Sequence, residues 1–154
     1  MAYDQLAAVD PDAIDAVTRV PHGGESNPEL VDFSANTNPR RPGGVARVYE
    51  AALAAAGRYP GDEYYAFRAA AAEYIGVTGT EIIPTAGGLA GMRLLCSIVI
   101  DSGDSVAIPK PSFSEYAREV RLHGGEPAFV RHDDIADIDP AAHRMVIVCN
   151  PNNP

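Results

Sequence analysis

Two stretches of the chain carry groups suited to gripping a small anionic ring compound: Thr85-Ala86-Gly87-Gly88-Leu89-Ala90-Gly91 and Pro111-Ser112-Phe113-Ser114-Glu115-Tyr116. The first joins a predicted strand to a predicted helix, so main-chain N–H groups and the positive end of the helix dipole converge on any anion placed there. A side chain at Gly87 or Gly88 would keep phosphate oxygens away from the main chain, although a plain tight turn asks for the same residues. No Gly-Lys-Ser/Thr follows, which excludes a Walker loop. In the second stretch Phe113 sits where a strand gives way to a helix, the edge at which an open α/β sheet holds its ligands. Its ring suits stacking on a heteroaromatic ring, and equally suits filling a core.

Other segments are weaker taken singly. Tyr59-Pro60 offers a phenol that can donate to a phosphate, or a plain structural pair. Asp32-Phe33-Ser34-Ala35-Asn36-Thr37-Asn38-Pro39 is a polar turn with two side-chain amides. His22-Gly23-Gly24 and His132-Asp133-Asp134 have no His or Cys partner at ligand spacing, so no metal is assigned. Cys96 and Cys149 are isolated in apolar runs and read as reduced, buried thiols. No Gly-x-Ser-x-Gly elbow marks a serine hydrolase. The single lysine, Lys110, stands between Pro109 and Pro111, a context that predicts a loop.

These segments must be positioned by an alternation of strands and helices. Residues 1–30 are broken by Pro11, Pro21, His22-Gly23-Gly24 and Pro28 and predict an arm. Gly43-Gly44 opens a helix with Val45, Val48, Ala52 and Ala56 on one face and Gly57 as its stop. Asp62 is placed to cap a second helix with Phe67, Ala70, Ala71, Tyr74 and Ile75 at helical steps, ended by Gly76. Strand signals follow at 82–85, 105–109, 127–131 and 145–149, with helices over 89–100 and 112–122. One helical turn is expected around Ile135 and Ile138. The rhythm predicts an α/β sandwich with a largely parallel sheet.

Composition bounds the reading. At 154 residues and 46% hydrophobic content the chain can form one compact domain, not a complete two-domain enzyme. Its 21 acidic against 12 basic side chains give a net charge of -9, a surface that repels nucleic acid. The longest apolar run, 89–100, is interrupted by Arg93 and is too short for a membrane span. Residues 1–10 lack a basic segment followed by an apolar one, which predicts a cytoplasmic protein.

In their order and spacing the segments resemble fold-type I pyridoxal-phosphate (PLP) enzymes of the aminotransferase class I/II group, from about His22 to Pro154. The likeness is nearest to threonine-phosphate decarboxylases of cobalamin biosynthesis, through His22-Gly23-Gly24 and residues 32–39, with histidinol-phosphate aminotransferases next. Asn153-Pro154 resembles the opening of the group's Asn-Pro-Thr-Gly turn. The resemblance implies a three-layer αβα large domain, incomplete here, with 1–40 as an arm and substrate-contacting segment and 41–154 as the first part of the PLP-binding domain. It implies that Gly88 and Leu89 bind the PLP phosphate through their backbone, Phe113 stacks on the ring and Asn153 bonds its phenolic oxygen. Tyr59 would reach the phosphate of a neighbouring subunit's cofactor, implying a homodimer, and His22 and Asn36 would contact a phosphorylated amino acid or amine. Where such enzymes place acidic or hydroxyl side chains after the glycine, this loop has only Leu89 and Ala90. The group's cofactor lysine, pyridine aspartate and carboxylate-binding arginine are expected beyond Pro154, so no catalytic residue is assigned. A non-catalytic phosphate-binding module is the alternative of another class.

Overall fold

A computed structural model describes residues 23–24, 27, 29–33, 35, 38–40 and 42–152. Among them one compact unit runs to Ile82 and another begins at Ile83.

In the unit ending at Ile82, helix α1 spans Val45–Leu53 and helix α2 spans Tyr65–Ile75. Gly44 starts α1 in the left-handed conformation (φ 83), the role glycine fills without steric cost. Asp62 does not cap α2. Tyr64 occupies the cap position at φ 48, and no side chain closes the helix start. At the other end Gly76 (φ 84) behaves as its sequence position predicts, with its N–H and that of Val77 both donating to the Ala72 carbonyl at 2.8 and 3.0 Å. A 3-10 turn, Gly79–Glu81, follows. Glu81 accepts from the Thr78 N–H and hydroxyl, each at 2.8 Å, and these bonds hold its carboxyl below the usual range. Arg68 ties α2 to this turn by donating from Nε to the Gly79 carbonyl at 2.8 Å.

The unit from Ile83 holds helix α3 (Gly88–Val99), strand β1 (Ser105–Lys110), helix α4 (Glu115–Leu122), strand β2 (Glu126–Arg131), a 3-10 turn (His132–Asp137) and strand β3 (Met145–Val146). The sheet has the order β2-β1-β3 and is parallel throughout. Ser105 to Lys110 lie in register with Glu126 to Arg131, while Val106 and Ala107 meet Met145 and Val146. As the central strand, β1 is buried from Val106 to Pro109, the continuous apolar run expected of a covered parallel strand. Cys96 and Ile100, then Ala117 and Val120, pack on Val106, Ile108 and Ile147 to form the core. Gly125 lies so close under this core that a Cβ would come within 2.9 Å of Ile100 and Val120.

The α/β character with a parallel sheet is thus present, with local differences from the sequence reading. Residues 82–85 join no ladder among the described residues. The last strand is two residues long, although the Ile147 N–H still donates to the Ala107 carbonyl at 3.0 Å. Lys110 ends β1 rather than lying in a loop. Among the described residues no helix is long and apolar enough to cross a membrane.

Candidate functional site

The start of α3 forms a main-chain anion cradle. Gly87 turns the chain at φ 88 and ψ 167, with no side chain capping the helix. Its N–H donates to the Thr85 carbonyl at 2.9 Å, and the Gly91 N–H to the Gly87 carbonyl at 3.3 Å. The intervening N–H groups of Gly88, Leu89 and Ala90 are those that helix geometry leaves without an intrahelical acceptor. A Cβ built on Gly87 or Gly88 meets nothing within 4 Å, so the space before the helix is open. Thr85 shapes this turn: its hydroxyl donates to the Gly87 carbonyl at 3.0 Å and would stand 3.3 Å from a Cβ at Gly91. In the sequence Thr85 stands only as the first residue of this loop, although a threonine two residues before a glycine is a recognisable turn signal.

Phe113 lies in the loop between β1 and α4 and is half-buried, outside the core cluster. Tyr116 packs against that core and meets the Phe113 ring edge-on, with centroids 5.6 Å apart and planes at 88°. The Tyr116 phenol is pushed up to about 12, first by its hydrogen bond to Cys149, then by burial and the nearby Cys149 charge. The Cys149 thiol donates onward to the Pro151 carbonyl at 3.3 Å. Cys149 is half-buried rather than buried, whereas Cys96 is fully enclosed, and burial followed by the Glu119 charge raises its thiol pKa.

The carboxyl ends of the three strands converge. The Pro111 carbonyl, just past β1, accepts from His132 Nε2 at 2.6 Å and from Asn152 Nδ2 at 2.9 Å. Lys110 places its ammonium 3.8 Å from the centroid of the Phe129 ring on β2. In the sequence His132 stands out only as a metal-ligand type without a partner at ligand spacing, and Asn152 carries no signal of its own. Their convergence depends on strand order, which no local pattern encodes.

Behind the cradle, Arg93 of α3 holds Glu119 of α4 with two bonds, 2.7 and 3.0 Å, and Glu119 is fully buried. Arg118 lies 3.4 Å from both Glu115 and Glu119, separating two buried carboxylates one helical turn apart. Bonding to Glu119 and its charge raise the Arg93 pKa further. The signal for this clamp was Arg93 itself, a charge inside an apolar run.

Gly88, Leu89 and Phe113 therefore stand in one unit, on or next to helices joined by the Arg93–Glu119 pair. Tyr59 belongs to the unit ending at Ile82 and is 97% exposed. His22, Asn36 and Asn153 lie outside the described residues.

Residues 28–154 match the family model described as aminotransferase class I and II. Histidinol-phosphate aminotransferase of Methanosarcina mazei is 31% identical over 136 residues, covering 81% of this chain and 37% of that protein. The chain thus spans well under half the length of this relative. The structure of L-threonine-O-3-phosphate decarboxylase from Porphyromonas gingivalis shares 26% identity and a TM-score of 0.60, over 71% of this chain and 35% of that one. Histidinol-phosphate aminotransferase from Sinorhizobium meliloti, solved with pyridoxal-5'-phosphate, matches in fold with a TM-score of 0.66 at 21% identity, over 73% and 33%.

Proposed function

Since the chain belongs to the aminotransferase class I and II family, we propose that it forms the cofactor-cradling part of a PLP enzyme acting on a phosphorylated amino acid or amine. Residues 1–40 serve in this reading as an arm and substrate-contacting segment, and 41–154 as the first part of the PLP-binding domain. The observation that carries the proposal is the open start of α3, where no Cβ and no capping side chain stands before Gly88 and Leu89.

PLP, when bound, supplies an electron sink for charge developing on the amino carbon. Gly88 and Leu89 would hold its phosphate by main-chain N–H groups, at the positive end of α3. Phe113 would lie on the pyridine ring, a contact worth about 0.5–1.5 kcal/mol beyond buried area. Asn153 would donate to the ring's phenolic oxygen. Tyr59 would serve a neighbouring subunit's phosphate, making the working protein a homodimer, and His22 and Asn36 would contact the substrate.

For the substrate we favour L-threonine O-3-phosphate, decarboxylated to (R)-1-aminopropan-2-yl phosphate. The similarity to the P. gingivalis decarboxylase and the His22 and Asn36 segments support this. Histidinol phosphate in a transamination is the second reading, favoured by the 31% identity to the M. mazei enzyme. Assay of the protein that carries this chain with both phosphates separates them. Release of carbon dioxide from threonine phosphate supports the first, and amino transfer from histidinol phosphate without it supports the second. Turnover of neither overturns both.

A further inference from the structure

We propose that His132 is a positioning residue for this site, tying the loop that carries Phe113 to the turn that precedes Asn153. The inference rests on the cofactor reading, since it takes these two segments to serve one ligand. Parallel pairing puts the carboxyl ends of β1, β2 and β3 on one edge of the sheet, with β1 between the other two. Pro111 follows β1 directly, His132 follows β2 directly, and Asn152 lies six residues past β3. β2 and β3 share no ladder, and beyond Ile147 the strand-to-strand bonds to β1 have ended. Past that point, among the described residues, the Pro111 carbonyl receives donors from both of the other ends.

A carbonyl can only accept, and it has two lone pairs. His132 Nε2 at 2.6 Å and Asn152 Nδ2 at 2.9 Å must therefore both donate to it. That fixes the imidazole proton on Nε2. It also means that the 3.4 Å approach of Asn152 Nδ2 to His132 Nε2 is two donors meeting at a shared acceptor, not a bond between them. Phe113 lies two residues beyond Pro111, and Asn153 is the next residue after Asn152. His132 thus acts through Pro111 and Asn152 rather than on the ligand itself.

The test compares the full chain with His132→Leu and His132→Gln, the glutamine amide offering a donor where Nε2–H stood. Amide hydrogen exchange is followed in peptides covering 112–117 and 147–152, neither of which contains residue 132. Affinity for pyridoxine 5'-phosphate, which has no aldehyde to react with Lys110, is measured alongside the urea midpoint. The leucine variant is expected to exchange about three- to tenfold faster in both segments and to lose affinity by a similar factor, as one hydrogen bond's net worth implies. The glutamine variant is expected to restore both, and the urea midpoint, lowered in the leucine variant by no more than the loss of that one bond, recovers with them. Unchanged exchange in the leucine variant, or no rescue by glutamine, overturns the role of His132. Failure of the unsubstituted protein that carries this chain to bind pyridoxine 5'-phosphate overturns the cofactor reading instead.

Discussion

Helix α1 repeats apolar residues at helical steps as clearly as α3 and α4 do, and α2 does so more weakly, yet the apolar side chains of the two pairs meet different fates. In α1 no residue is buried and in α2 only Ala72 is, so Val48, Tyr49, Leu53, Phe67 and Tyr74 remain exposed. In the unit from Ile83, by contrast, Cys96, Ala117 and Val120 close on a central strand that is itself buried. An amphipathic pattern selects a helix, but only a facing partner converts the pattern into buried area. Here the sheet is that partner. The cradle and the aromatic loop are both built on helices that it anchors.

Core truncation breaks this contrast most directly. Ile108→Ala, at the centre of β1, is expected to cost about 2–5 kcal/mol in urea unfolding. Leu53→Ala on α1, where the side chain is 60% exposed, should change stability by less than about 0.5 kcal/mol. Equal costs at the two sites would mean that α1 is packed as tightly as β1, and the comparison would fail.

The Arg93–Glu119 clamp gives the next largest effect. Arg93→Ala strands a fully buried carboxylate with only the 3.4 Å contact of Arg118, a loss of about 3 kcal/mol. Replacing both partners by leucine removes the charge along with its partner and should recover most of that stability. If the single variant unfolds at the wild-type urea midpoint, the clamp contributes nothing to joining α3 and α4.

At the cradle itself stability and binding should separate. Gly88→Ala adds only a Cβ, which meets no protein atom within 4 Å, so the unfolding midpoint should hold. Affinity for pyridoxine 5'-phosphate should nevertheless fall about tenfold or more, equivalent to at least 1.4 kcal/mol. Equal affinity would place the phosphate elsewhere.

What the sequence made legible follows the same division. The Gly-rich turn before α3, the strand over 105–109 and the glycine stop at Gly76 are all readable, because each is set by its own neighbours, while the extension of that strand to Lys110 is not. Asp62 was misread as a cap because a good capping residue says nothing about where the chain will turn, and Tyr64 took the position. The apolar run at 82–85 carries a strand signal but meets no pairing partner among the described residues, and pairing is not encoded locally. His132, Asn152 and Glu119 were illegible as partners for a different reason. They lie 21, 41 and 26 residues from the groups they bind.

The smallest expected effect concerns Tyr116, which sits between the aromatic loop and the core. Its folded pKa of about 12 lies above the value of about 10 for an unconstrained phenol, so the folded state holds its proton more tightly. The associated stability is complete below pH about 10 and is lost as pH rises through about 12. The largest cause is the bond to Cys149, so Cys149→Ala should lower the phenol pKa while burial keeps it above the free value. Ultraviolet titration of tyrosinate should show a late step with the amplitude of one of the seven tyrosines, moving earlier in the variant. A late step that does not move would leave burial as the sole cause. Tyr116 would then report on the core alone and not on the turn at Cys149, and the link between the sheet and its carboxyl edge would rest on the Pro111 carbonyl.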